Sequence, residues 1–391
     1  MTRFRVAILF DSHTPLNGGS FSLISSILKG FQDISLPQEY EILLVSVGPK
    51  SHSLADLHFK PYNKFFRKFI KILVGISTKI ECKLQTHSKL ARFLKKFEVD
   101  IVFFLGVPAE ITFVPYILTV WDLQHRTHPW FPEVGSHKAW KGRENYYRNV
   151  LSRAIAVIVG TPQGKKEVSS FYGVYEDNIY IIPHVIGESE NVTSSDRSGP
   201  YIYPAQFWAH KNHLAIVKAV EILRDKFGLI VKVDFIGSDK GNLKFIQQVI
   251  RESNLENQIT ILGFVSEEKK IELYRSSRGL IYSSFSGPEN LPPLEAYDAG
   301  IPVIYSDFPG AREQLGDFPF YFNPTDFTSL ARIIEDVEKM EFKILRERLI
   351  SQRDFLINKR PGNYADTFID MIQAIRPQVE CWNSRDFQNF D

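Results

Sequence analysis

Short apolar runs separated by amphipathic stretches organise this chain. The first run, Phe4 to Phe10, is almost unbroken, as in a strand buried on both faces. It passes into a turn bearing Asn17-Gly18-Gly19-Ser20, and a helical pattern follows from Phe21 to Phe31. Further strand patterns cover 41–47, 101–105, 116–121, 155–159 and 179–183, with helical patterns at 138–152 and 163–171 among them. A polar, Ser-rich segment, 187–199, interrupts the alternation and is the best linker. The pattern then restarts with strands at 201–205, 229–236, 258–262, 279–283, 302–305 and 320–322. Helices at 214–226, 243–253, 267–276 and 293–299 lie between them, and no internal repeat stands out. Alternation of this kind predicts an α/β fold: two Rossmann-like domains with parallel sheets facing an interdomain cleft. The boundaries implied are 1–186, 187–360 and a terminal piece, 361–391, with a helix near 364–375.

Length agrees, because 391 residues exceed one ordinary core. A net charge of +2 excludes a generally basic nucleic-acid coat, so no nucleic acid is expected as a partner. The two cysteines, Cys82 and Cys381, are far apart, which argues against a disulfide framework or a Cys-rich zinc site and suits a reducing cytosol. The apolar run after Met1 is ended by Asp11 too early for a signal peptide, and no stretch of about 18 apolar residues occurs. The expected location is cytoplasmic, with peripheral attachment to the inner membrane face as an option. That option rests on residues 60–96, where eleven Lys/Arg face one acid, Glu81, among interleaved Phe and Ile. Such a stretch suits an anionic lipid surface. A solvated helix with a basic outer face, or an RNA-contacting patch, would have the same composition.

Candidate chemistry concentrates in "SSFSGPENLPPLEAYDAGIPVI", 283–304. A strand there feeds a loop and then a helix start that accepts proline. Free amides at such a start, at the carboxyl edge of a parallel sheet, favour an anion such as a diphosphate. Glu295 in the first helical turn has two acceptor oxygens suited to sugar hydroxyls; alternatively it caps its own helix. Lys211 follows a strand end within "AHKNH", and Asn212 suits the cap of the following helix. In "TVWDLQHRTHPWF" (119–131), Asp122, His125 and His128 gather after a strand. His125 and His128 are three apart, as zinc ligands can be, but no third ligand is evident.

These segments resemble glycosyltransferase family 4, a retaining family of GT-B fold. "NLPPLEAYDAGIPVI" looks like its donor-binding segment, and "YPAQFWAHKNH" (203–213), "ILGFVSEEKKIELY" (261–274) and "YSDFPGAREQLGD" (305–317) follow the family's order and spacing. "GVYEDNIYIIPHV" (173–185) resembles the segment entering the second domain, and Gly18-Gly19 matches a glycine loop. The resemblance implies a nucleotide-sugar donor held mainly by the second domain and a glycan or lipid-linked acceptor held mainly by the first. Glu295 matches the second glutamate of the family's E-x7-E element, which holds the ribose. The first would fall at Gly287, and Glu289 is displaced from it by two residues. Lys211 matches the family lysine that stabilises the departing diphosphate, whereas Ala205 and Gln206 occupy the usual arginine zone. His210 or amides near Gly18 and Gly19 would then assist. Asn290 and Leu291 would face phosphate or sugar through their backbone, and Gly263, Phe264 and Val265 would meet the base. Trp121 stands where the family often has histidine, leaving Asp122 and His125, with Glu289, as candidates for orienting the sugars. No Asp-x-Asp occurs, so no metal and no cofactor is expected. The family's terminal helices imply that the last helix crosses back to the first domain.

Other Rossmann functions fit less well. A nicotinamide enzyme would show G-x-G-x-x-G after a strand, and neither half does. A GT-B sugar epimerase, a phosphorylase, or a nucleotide-sugar-binding subunit with weakened catalysis are the remaining alternatives, the last motivated by Gly287, Gln206 and Trp121.

Overall fold

The computed structural model describes residues 3–11, 19–48, 52–61, 88–110, 112–184, 198–287, 289–359 and 364–381. Gly18, Pro288, the linker segment 187–197 and residues 62–87 of the basic stretch lie outside these.

The first sheet contains β1 (Phe4–Asp11), β2 (Tyr40–Val47), β3 (Leu57–Phe59), β4 (Ile101–Leu105), β5 (Tyr116–Thr119), β6 (Ala156–Val159) and β7 (Ile179–Ile181). Their spatial order is β3-β2-β1-β4-β5-β6-β7. The second contains β8 (Tyr201–Pro204), β9 (Val233–Ile236), β10 (Ile259–Gly263), β11 (Leu280–Tyr282), β12 (Val303–Ser306) and β13 (Phe320–Phe322), in the order β10-β9-β8-β11-β12-β13. Every pairing of these strands is parallel. The unbroken apolar runs follow from this: Val6 to Phe10 and Ile101 to Leu105 are buried throughout, with helices on both faces.

Element bounds move where local chemistry overrides the apolar pattern. The strand expected from 229 begins only at Val233, because Gly228, at φ +63°, closes the preceding helix and Leu229 N–H bonds back to Leu223. Helix Lys89–Lys96, capped by Ser88, forms at the end of the basic stretch. Helices Phe327–Lys339 and Phe342–Lys359 were not visible in the sequence pattern.

Helix Tyr364–Glu380 returns the chain to the first sheet. Tyr364, Phe368, Ile372, Ile375 and Val379 recur at helical spacing and are buried with Phe4, Leu28 and Phe31. The Phe368 ring lies 5.1 Å from Phe31 and 4.9 Å from Phe103. Burial of such a ring is worth about 3–5 kcal/mol against alanine, so this last described helix ties the second domain to the first.

Strand order reverses between β1 and β4 in one sheet and between β8 and β11 in the other. Open parallel sheets bind ligands outside the carboxyl ends of their strands at such points. The loops after β8 and β11 therefore define where the site is built.

Candidate functional site

Lys211 ends a short 3-10 turn after β8 (Ala209–Lys211). Its Nζ donates to Tyr282 Oη and to Asn290 Oδ1, each at 3.1 Å, and lies 5.3 Å from the Tyr282 ring centroid. Tyr203 Oη anchors the same residue by donating to the Lys211 carbonyl. Burial pushes the ammonium down to about 8, and the nearby carboxylates of Asp122 and Glu133 act against that fall. Lys211 thus stands at the second sheet's switch point, facing two acids of the first domain.

Asn290 organises the loop after β11. Its Oδ1 also accepts from Tyr282 Oη (3.0 Å), and its Nδ2 donates to Tyr305 Oη (2.8 Å) and to the Gly287 carbonyl (3.2 Å). Its backbone is clamped as well: the N–H donates to Gln314 Oε1 at 3.2 Å, and the carbonyl accepts from Gln314 Nε2 at 2.9 Å. The Asn290 amide, expected to face phosphate, is therefore committed to Gln314. Ser283, Ser284 and Ser286 are small and let this loop lie against the Lys211 turn, with Phe285 N–H on the His210 carbonyl at 2.9 Å. Asn212 occupies the cap position of helix His213–Phe227 without a side-chain cap bond; its Nδ2 goes instead to the Pro324 carbonyl at 2.9 Å. The left-handed backbone of Asn212, φ +53°, turns the side chain away from the helix end.

Helix Leu291–Asp298 begins with Pro292 and Pro293 in its first turn. Proline has no N–H, so the anion-binding amides expected there reduce to that of Leu291. Glu295 does not cap this helix. Its Oε1 accepts from Lys270 Nζ at 2.9 Å and its Oε2 from Tyr274 Oη at 2.8 Å, both from helix Glu267–Ser276. Burial alone would lower Lys270, but Glu295 and Glu267 hold its ammonium above the ordinary value. Glu295 is one-fifth exposed, and each oxygen keeps a lone pair for a further donor.

Gly287 has φ +144°. A Cβ there would lie 2.7 Å from the Asn290 side-chain amide. A glutamate is therefore excluded at this position by backbone conformation and by the Asn290 network. The loop delivers Glu289 instead. Its Oε1 accepts from the His184 backbone N–H at 2.8 Å and its Oε2 meets His184 Nε2 at 3.0 Å, in a pair whose side chains are both 6% exposed. Its carboxylate fills the space over Gly160, where a Cβ would fall 1.4 Å from Oε2. Trp121 closes the cluster, with its ring 5.1 Å from His184. Glu289 is thus a bridge from the second domain to the segment after β7.

In the first domain Asp122 Oδ1 accepts from Arg143 Nη2 at 2.5 Å and from Gln124 N–H at 2.9 Å. His125 is not brought to these groups. It is wholly buried, stacked on Tyr147, with Nε2 2.9 Å from Tyr172 Oη, and burial followed by the Arg143 charge pushes it down to about 4. The short helix Gln124–Thr127 turns the ring into the domain core, which three-residue spacing could not reveal. His128 bonds to Thr127 Oγ1 at 2.9 Å, and among the described residues no group of three or more His, Cys, Asp or Glu could hold a metal ion. His210 pairs across the domains with Glu133: the Glu133 Oε1 accepts the His210 N–H at 3.0 Å and contacts its Nδ1. Burial would raise Glu133, but the His210 hydrogen bonds hold its carboxylate below the usual range.

Of the remaining sequence candidates, Gln206 is tied to Ser238 Oγ (3.4 Å) and Trp208 Nε1 (3.1 Å). Gly263 takes φ +69° at the end of β10, Phe264 is half exposed and Val265 packs on the second core. Gly19 is the first residue of helix Gly19–Asp33. The sequence analysis missed Glu133, His184, Tyr282, Arg143 and Gln314. Apart from the bond of Tyr282 to Asn290, eight residues on, their partners lie 21 to 105 residues away, so local spacing does not mark them.

Two parallel-sheet Rossmann-like domains facing one another through their switch points constitute the GT-B fold, and the structural relatives agree. A glycosyltransferase from Rickettsia africae ESF-5 superposes with TM-score 0.65 at 17% identity, covering 98% of this chain and 99% of that one. Anabaena HepE in complex with UDP and glucose does so with TM-score 0.68 at 15% identity, covering 96% and 100%. Residues 189–353 match the family model described as glycosyl transferases group 1. The O-antigen chain mannosyltransferase RfbU of Salmonella typhimurium is 25% identical over 218 residues, 54% of this chain and 60% of that protein. The O-antigen chain mannosyltransferase B of Escherichia coli is 32% identical over 92 residues, 23% of this chain and 24% of that protein. The chain thus spans 60% or less of the length of these curated relatives.

Proposed function

We propose that the protein is a retaining, metal-independent glycosyltransferase of family 4, moving a hexose from a nucleotide-diphosphate sugar to a glycan or lipid-linked acceptor in cell-surface polysaccharide synthesis. The observation that carries this reading is Lys211, a partly buried cation held by Tyr282 and Asn290 at the second sheet's switch point, opposite Asp122 and Glu133. A cation so held is preorganised for the charge that develops on a departing diphosphate. In retaining transfer the acceptor hydroxyl attacks from the face the diphosphate leaves. The C1–O bond to phosphate breaks, the new C1–O bond forms, and the hydroxyl proton passes to the diphosphate. Glu295, poised by Lys270 and Tyr274, would hold the ribose hydroxyls, and closure of the cleft would exclude water. The mannosyltransferase relatives favour GDP-mannose, and the HepE likeness keeps a UDP-sugar in view. Among the described residues no helix is long and apolar enough to cross a membrane. The proposal carries a cytoplasmic location, with peripheral attachment to the inner membrane face as an option supported by the basic stretch 60–96.

Thermal-shift screening against GDP- and UDP-sugars tests the reading. One nucleotide class should raise the melting temperature, and Lys211→Ala should remove most of that rise. No response to any nucleotide sugar would overturn the assignment.

A further inference from the structure

The segment after β5 carries an aromatic ledge that the donor chemistry does not use. Trp130 is 69% exposed, whereas tryptophan is usually well buried. Its ring is 5.3 Å from His128 and 6.1 Å from Phe131. Phe131 in turn reaches the second domain, 5.6 Å from Phe285 and 6.2 Å from His210. The ledge is firmly built: Phe131 N–H bonds to the His128 carbonyl at 3.2 Å, and Gly135 N–H bonds to the Phe131 carbonyl at 2.6 Å. Gly135 is pressed so closely on the Pro129 carbonyl that a Cβ would come within 2.1 Å of it.

A second, independent feature lies on the same loop. Glu133 is 7% exposed at its side chain; its Oε1 is used by His210, but its Oε2 is buried and meets no hydrogen-bond partner among the described residues. A buried carboxylate oxygen without a donor is costly, and a bound hydroxyl would supply one. Glu133 bonds to His210, the residue before Lys211, so a hydroxyl held there faces the turn that carries the cation assigned to the leaving group.

We propose that this ledge is the saccharide subsite of the acceptor: a pyranose packs its C–H face on the Trp130 ring, and Glu133 Oε2 accepts one of its hydroxyls. The two chemistries match. A pyranose has an apolar face and a polar rim, and tryptophan offers a large apolar face at an exposed edge. The inference rests on the transferase reading above and extends it to the substrate class recognised by the first domain.

The test measures transfer from the stabilising nucleotide sugar to methyl glycosides and short oligosaccharides of mannose, glucose, galactose and N-acetylglucosamine. Product and free sugar are separated, so transfer and donor hydrolysis are counted apart. Trp130→Ala should raise KM for the best saccharide about tenfold and lower the ratio of transfer to hydrolysis. Trp130→Phe should restore most of the loss, and Glu133→Gln should lower the ratio further. Because Trp130 is exposed, its truncation leaves no core cavity. An unchanged KM and ratio in Trp130→Ala would overturn the subsite, as would a wild-type enzyme that hydrolyses donor but transfers to none of these saccharides. A wild-type protein that neither binds nor hydrolyses any nucleotide sugar overturns the transferase reading itself.

Discussion

Replacing Gly160 with alanine probes the bridge between the domains. Gly160 is not in the left-handed region, so alanine brings no backbone strain. Its Cβ would instead land 1.4 Å from Glu289 Oε2 and 1.8 Å from Cδ, and the carboxylate must leave. Side-chain torsions alone would let it leave cheaply. The cost arises because it surrenders two hydrogen bonds to His184, at 2.8 and 3.0 Å, in a nearly dry pocket. Breaking a buried pair of this kind costs about 3–5 kcal/mol. Glu289→Ala removes the same bonds and also vacates the space, so the two substitutions should not add. In the Glu289→Ala background, Gly160→Ala should cost less than about 0.5 kcal/mol. Urea unfolding of the wild type, both single variants and the double variant measures this cycle, with domain-resolved probes if the transition is not two-state. Additive losses would refute the geometry, because they would mean that Glu289 does not occupy the Gly160 site. A Gly160→Ala variant as stable as wild type would refute it equally.

Loss of the Lys211 charge should lower kcat about 10²–10³-fold in Lys211→Ala, measured by nucleoside diphosphate release. With its ammonium titrating near 8, activity should fall on the alkaline side of that pH, and Lys211→Arg should move this limb upward. His125 bears on stability rather than rate. Its folded value of about 4 lies below the ordinary 6.5, so the unfolded chain binds a proton that the folded one refuses. Its contribution is complete above about 6.5 and is lost as pH falls toward 4; the melting temperature should fall across that window, and fall less in His125→Gln. Gly287→Ala should destabilise by roughly 1–3 kcal/mol, through the strained φ and the 2.7 Å contact with Asn290. Chemical denaturation reads this directly, and a neutral outcome would mean that the loop conformation differs.

The alternation of short apolar runs and amphipathic stretches was enough to specify two doubly wound domains, since strands buried on both faces leave an unmistakable apolar signature. Lys211 and Glu295 were singled out by the resemblance and by their places after a strand end and in a first helical turn, and the backbone carries both to the carboxyl edge of the second sheet. What those side chains touch was not legible. Glu295 meets Lys270 and Tyr274, and Lys211 meets Tyr282 and Asn290, through contacts between elements that only the packed sheet brings together. His125 went the other way: its spacing beside Asp122 suggested a site, and tertiary packing buried it.

The feature most odd in the sequence, glycine where a carboxylate is expected, is also the one that needed three dimensions. Position 287 adopts a backbone conformation that disfavours any side chain and abuts Asn290, while Glu289 reaches His184 over a glycine at 160. Sequence by itself determined the fold class, because that depends on local periodicity, and the resemblance to glycosyltransferase family 4 pointed to Lys211. Tertiary structure alone decided which carboxylates cross between the domains. Those pairings join residues 77 and 105 positions apart, and the water-excluded setting that makes breaking them costly exists only once the two sheets face each other.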